Sequence, residues 1–147
     1  MADLQNLWDC GGQNAFTDNY LTTQKDTIFA NVAVLIYVFD ITSTEWESDL
    51  RYFEDILGSL RDNSSDAGVW ILINKMDLAD KEDPARKKFA EKKAEISAIN
   101  DKVSKEKDRQ GQIRIFGTTI WDESLYKVSF DLWLVSMVKL TIRHGLQ

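Results

Sequence analysis

Two short stretches carry residue types that could do chemistry together. One is Asn74-Lys75-Met76-Asp77, directly after an apolar run. An amide both donates and accepts, whereas a carboxylate only accepts and can take two parallel N–H groups. Guanine presents an N1–H beside a 2-amino group, which suits Asp77. The alkyl stem of Lys75 can cover a flat base while its head stays polar. Asn74 can reach the base edge or tie neighbouring loops together. The other stretch is Asp9-Cys10-Gly11-Gly12-Gln13. An acid after a strand can hold Mg²⁺, often through water. Glycine lets a backbone N–H approach a phosphate closely. A glutamine amide can orient an attacking water. Each stretch alone is short; the second could equally be a glycine-rich turn with an acidic lip.

The surrounding elements must place these residues. Four apolar runs read as strands: Leu4–Trp8, Val32–Phe39, Val69–Asn74 and Ile113–Thr119. Continuous apolar runs suit strands buried on both faces, as in parallel sheets. Helical patterns fill the gaps. Thr44 and Glu47 have capping-box spacing, and Trp46, Leu50, Phe53, Leu57 and Leu60 follow as one stripe. Pro84 opens a densely charged helix to about Lys107, with a thin apolar line of Phe89, Ile96, Ile99 and Val103. A last helix is expected over about Glu123 to Arg143, apolar on two sides. The alternation predicts one α/β domain over residues 1–147, with helices on both faces of a mainly parallel sheet. In such folds ligands bind at the C-terminal ends of the strands. Both stretches fall there, as do Asp40 and Thr118-Thr119-Ile120.

Composition narrows the class. Hydrophobic residues are 44% and charged residues 29%, a globular rather than disordered balance. The net charge of −6 argues against a nucleic-acid binder, which would show a basic stripe. No apolar run approaches the ~20 residues that a membrane span needs. The single cysteine, Cys10, rules out an intrachain disulfide, and no signal peptide is evident. A soluble cytosolic protein is expected. The one histidine, His144, has no catalytic companion in sequence.

The order of the motifs is more specific than either alone. D-x-x-G-Q, a buried strand, a helix, another strand and N-K-x-D form the ordered signature of a regulatory GTPase. "LWDCGGQ", "IFANVAVLIYVFDITSTE", "NKMDL" and "TTIWDESLYK" resemble the Rag/Gtr GTPases, on their RagA/Gtr1-like side. The resemblance implies a P-loop NTPase fold of the small-GTPase type, a three-layer sandwich. It implies binding of GTP or GDP with Mg²⁺. By position it makes Asp9 the acid near Mg²⁺, Gly12 the γ-phosphate contact and Gln13 the residue associated with hydrolysis. Asn74, Lys75 and Asp77 become the base-recognition set, with Thr119 and Ile120 contacting the base through the loop after the fourth strand. Asn74 stands where RagA-like members commonly have His. The family pairs with a second Rag/Gtr subunit as a heterodimer. It acts at the lysosomal or vacuolar surface and reports amino-acid supply to TOR complex 1.

One part of the pattern is missing. The 147 residues contain no G-x-x-x-x-G-K-[ST], so no phosphate cradle, phosphate lysine or Mg²⁺-binding hydroxyl is present. The family's switch I threonine and C-terminal dimerisation domain are also missing. The chain is therefore read as a truncated or degenerate member, without its N-terminal strand, P-loop and first helix. It is expected to bind and hydrolyse GTP poorly. An alternative is a nucleotide-free protein that binds Rag partners or regulators. Losing a central strand exposes two sheet edges. Either Leu4–Trp8 and Val32–Phe39 close up and pair directly, or the chain is unstable alone.

Overall fold

In the computed structural model of the chain, residues 8–10, 21–79, 84–106, 113–128 and 140–143 are described. Their strands are β1 (Trp8–Cys10), β2 (Val34–Asp40), β3 (Gly68–Asn74), β4 (Ile113–Gly117) and β5 (Leu140–Arg143). The helices are α1 (Lys25–Ile28), α2 (Trp46–Asn63) and α3 (Pro84–Glu106), followed by a helical stretch at 124–128. The five strands form one sheet in the order β1-β5-β2-β3-β4, and every pairing is parallel. The α/β class expected from the alternation is what forms.

Why the sheet is parallel follows from β2 and β3. All seven residues of β2 are buried, as are the five central residues of β3. Neither strand has a solvent face, so both must be covered by helices. Leu35, Tyr37, Phe39, Val69, Ile71 and Ile73 share one core with Phe53, Ile56, Leu57 and Leu60 of α2 and Ile96 and Val103 of α3. Val34, Ile36, Val38, Trp70 and Leu72 form a second core, packed by Phe116, Leu125 and Val128. In the first core Tyr37, Phe39, Phe53 and Trp46 make a chain of tilted and edge-on ring contacts, with centroids 4.6–5.4 Å apart. Ser64 closes α2 onto this layer. Its hydroxyl donates to the Phe29 carbonyl at 2.8 Å and accepts the Val32 N–H at 2.9 Å.

Three expectations change. The α2 start is not a capping box: Glu45 stands at the N-cap and no side chain caps it. Ser43 is used there instead, accepting the Glu45 N–H at 3.2 Å and donating to Asp49 Oδ2 at 2.6 Å. The helix expected to run to Arg143 does not. Leu140–Arg143 is strand β5, while 129–139 lie outside the described residues. The apolar stripes of that segment end at Met137, and Thr141 and Ile142 beyond them are β-branched, which favours a strand.

The third change is the largest. The strands β1 and β2 do not close up on each other. β5 lies between them, pairing Trp8–Cys10 on one side and Leu35–Val38 on the other. The slot expected to be empty is filled by the chain's own C-terminal segment. Of the expected strand Leu4–Trp8, residues 4–7 lie outside the described residues; Trp8 belongs to β1, which runs to Cys10, so Asp9 lies within a strand rather than beyond it. No helix among the described residues is long and apolar enough to cross a membrane.

Candidate functional site

The strand ends of β2, β3 and β4 are level. Asp40 pairs in register with Asn74, and Gly117 with Ile73, so Thr118 comes level with Asn74. The three loops that follow therefore leave from one rim. Backbone bonds knit them: Ile41 N–H to the Asn74 carbonyl at 3.1 Å, Thr118 N–H to Ile73 at 2.9 Å and Met76 N–H to Thr118 at 3.1 Å.

Side chains add a second layer of ties. The Thr119 hydroxyl donates to Asp77 Oδ1. The Thr118 hydroxyl donates to Asn74 Oδ1 at 3.3 Å, leaving the NH₂ as the group that can donate. Thr119 is positioned in turn: its N–H donates to Ser124 Oγ at 3.0 Å, and its hydroxyl accepts the Trp121 N–H at 3.3 Å. The Ser124 N–H donates to Asp122 Oδ1 at 2.7 Å. Bonds to Ser124 hold the Asp122 carboxyl below its ordinary range. A carboxylate has about four lone-pair sites. Asp77 can thus accept Thr119 and still take two N–H donors from a ligand.

Lys75 has a more definite role than its sequence position suggested. It adopts a left-handed conformation, φ 60°, at the break between β3 and the single 3₁₀ turn Met76–Leu78. Its ammonium lies 2.7 Å from Asp40 Oδ2. The Asp40 side chain is 7% exposed and that of Lys75 30%. Asp40 also receives the Thr42 N–H at 2.8 Å and hydroxyl at 2.6 Å. Burial pushes the Asp40 carboxyl up, but the bonds from Lys75 and Thr42 outweigh it and hold the group below its ordinary value. Sequence reasoning placed Asp40 at the rim without finding this pair. The signal was its place at the end of a neighbouring strand.

Beside this rim, Lys92 on α3 is buried, with its ammonium 3.4 Å from the centre of the Trp46 ring. The Trp46 indole N–H donates to Glu95 Oε2 at 2.8 Å. The densely charged pattern of this helix carries no sign of Lys92, because a lysine in a charged run gives no signal of burial.

Of the expected site residues, the structure brings together Asn74, Lys75, Asp77, Thr119 and Ile120. Ile120 is 63% exposed. Gly12 and Gln13 lie outside the described residues. Asp9 pairs with Thr141, which pairs with Ile36, so Asp9 is level with a residue four positions before Asp40. That is roughly 13 Å of strand short of the rim. Among the described residues no group of three or more His, Cys, Asp or Glu is placed to hold a metal ion.

Comparison with known proteins identifies the chain's relatives. Residues 3–136 match the family described as the Gtr1/RagA G protein conserved region. The chain is 43% identical over 122 residues to the Ras-related GTP-binding protein B of Rattus norvegicus. It is 47% identical over 122 residues to the GTP-binding protein gtr1 of Schizosaccharomyces pombe. It is 45% identical over 125 residues to the GTP-binding protein GTR1 of Saccharomyces cerevisiae. Each alignment covers 83% of this chain but only 30% to 37% of the relative.

Proposed function

Since the chain belongs to the Gtr1/RagA family of G proteins, we propose that it recognises guanine through Asn74, Asp77 and Thr119. The observation that carries this reading is the tied rim: the Thr119 hydroxyl on Asp77 and the Thr118 hydroxyl on Asn74. Preorganised groups lose less entropy when a ligand arrives. The relatives are named as GTP-binding proteins, which supports the same ligand class.

Phosphate binding needs oriented N–H groups and a cation against a highly charged ligand. No G-x-x-x-x-G-K-[ST] occurs in the 147 residues. Removing even one comparable donor costs ~10²–10³ in rate elsewhere. The 147 residues taken by themselves are therefore proposed to bind guanine with little regard to its phosphates. By family resemblance, its setting is amino-acid signalling to TOR complex 1. There it works with a second Rag/Gtr subunit at the lysosomal or vacuolar surface, with Gln13 and Asp9 in their family roles only where a phosphate site is present.

The test is ligand-observed NMR with guanosine and adenosine. Guanosine should show saturation transfer and adenosine should not. Asp77→Ala should abolish the guanosine signal. Equal transfer to both nucleosides, or no effect of Asp77→Ala, would remove the proposal. A second reading, a nucleotide-free module that binds Rag partners or regulators, is favoured by the exposed apolar residues Leu78, Ile120, Trp121 and Tyr126. Pull-down with Rag subunits, with and without guanine nucleotide, separates the two.

A further inference from the structure

Among the described residues, β1 joins the sheet only through β5. The contact is three residues long: Trp8, Asp9 and Cys10 against Leu140, Thr141 and Ile142. On its other side β5 pairs with Leu35–Val38 of β2, also in parallel. So the strand that carries Asp9 is held by a four-residue strand from the opposite end of the chain. The rest of the sheet is held differently. β2 and β3 pair over seven residues, and β3 and β4 over five.

The register also ties Cys10 to this strand. Cys10 is 2% exposed, belongs to the core shared with Leu35 and Tyr37, and pairs with Ile142. In the register, Leu140 and Ile142 stand level with Leu35 and Tyr37. A short strand next to an edge strand, with both adjoining ladders short, is where local opening concentrates. A β1 without β5 has no ladder partner among the described residues.

We propose that β5 is a strap that closes the sheet in cis: it holds β1 in place and buries Cys10, and β1 and β5 open as one unit while β2, β3 and β4 stay paired. The position of the D-x-x-G-Q strand is then governed by the C-terminal segment. This does not rest on guanine binding and is tested without nucleotide.

Cys10 is the chain's only cysteine, so a thiol reagent reads one site. Amide exchange and Cys10 labelling by an aromatic disulfide reagent are measured on the whole chain and on Ile142→Pro, which removes a ladder N–H from β5. In the unaltered chain, 8–10 and 140–143 should exchange with one common opening, faster than 34–40 and 68–74. In Ile142→Pro, Cys10 should label about tenfold faster or more, with 34–40 and 68–74 still protected. Unchanged labelling would overturn the proposal. So would separate openings for 8–10 and 140–143 in the unaltered chain. If Ile142→Pro unfolds the whole chain, the exchange comparison in the unaltered chain decides alone.

Discussion

At the end of β2, Asp40 receives the Lys75 ammonium together with the N–H and hydroxyl of Thr42. Its folded pKa lies below the ordinary 3.8, so the unfolded state takes up its proton first as pH falls. The pair's contribution is complete above 3.8 and is lost as pH drops through the lower folded value. Asp40→Asn should therefore destabilise the chain by about 2 kcal/mol near neutrality, and the difference from the unaltered chain should shrink below that window. Urea melts at about pH 7 and about pH 3 check this. Lys92 runs the other way. Burial, then repulsion from Lys88, lowers its pKa to about 8, against the pull of Glu95, Asp49 and Asp40. Between that value and the ordinary 10.5 the unfolded chain holds more protons, so stability contributed at Lys92 rises with pH. Lys92→Met should remove a rise on the order of 2 kcal/mol between about pH 7 and about pH 10, read by urea melts. The residue types at the rim were legible because N-K-x-D names its own chemistry. The partners were not. That Lys75 meets Asp40, or that Lys92 lies over Trp46, depends on register and helix placement that no local pattern encodes.

The loop after β3 depends on one close approach. A Cβ at Gly117 would lie 3.3 Å from Met76 Cγ and 3.3 Å from a ring carbon of Phe89. Gly117→Ala should therefore push Met76, the residue before Asp77, at a cost of about 1 kcal/mol. Thermal melts measure the cost, and guanosine saturation transfer should fall in parallel if Asp77 moves with it. The element pattern was largely visible in the sequence. β2 and β3 are continuous apolar runs up to their last residues, Asp40 and Asn74, and the stripes of α2 and α3 lie where the core needs them: Phe53, Leu57, Leu60, Ile96 and Val103 are buried. What failed is also physical. Thr44 and Glu47 have the spacing of a capping box, but Ser43 meets Asp49 and the Glu45 N–H instead. The apolar stripes after Leu125 carried a helix through to Arg143, although β-branched Thr141 and Ile142 marked a change of period.

At the scale of the whole molecule, the sheet order is the finding that sequence order could not supply. A strand from residues 140–143 enters between the first two strands, so β1 and β2, consecutive among the described strands, are not neighbours in the sheet. Two consequences meet there. The rim proposed to recognise the base is built by β2, β3 and β4, whose ends are level at Asp40, Asn74 and Thr118. The strand carrying Asp9 stands apart, joined through β5. On the proposed reading, the rim for the base and the strand carrying Asp9 are thus held separately in the sheet. Isothermal titration of the chain with guanosine, GDP and GTP in the presence of Mg²⁺ tests this directly. For these 147 residues weak binding is expected, with the three affinities within about threefold of one another and no GTP dissociation constant below about 1 μM. A sub-micromolar constant for GTP, with guanosine far weaker, would contradict it.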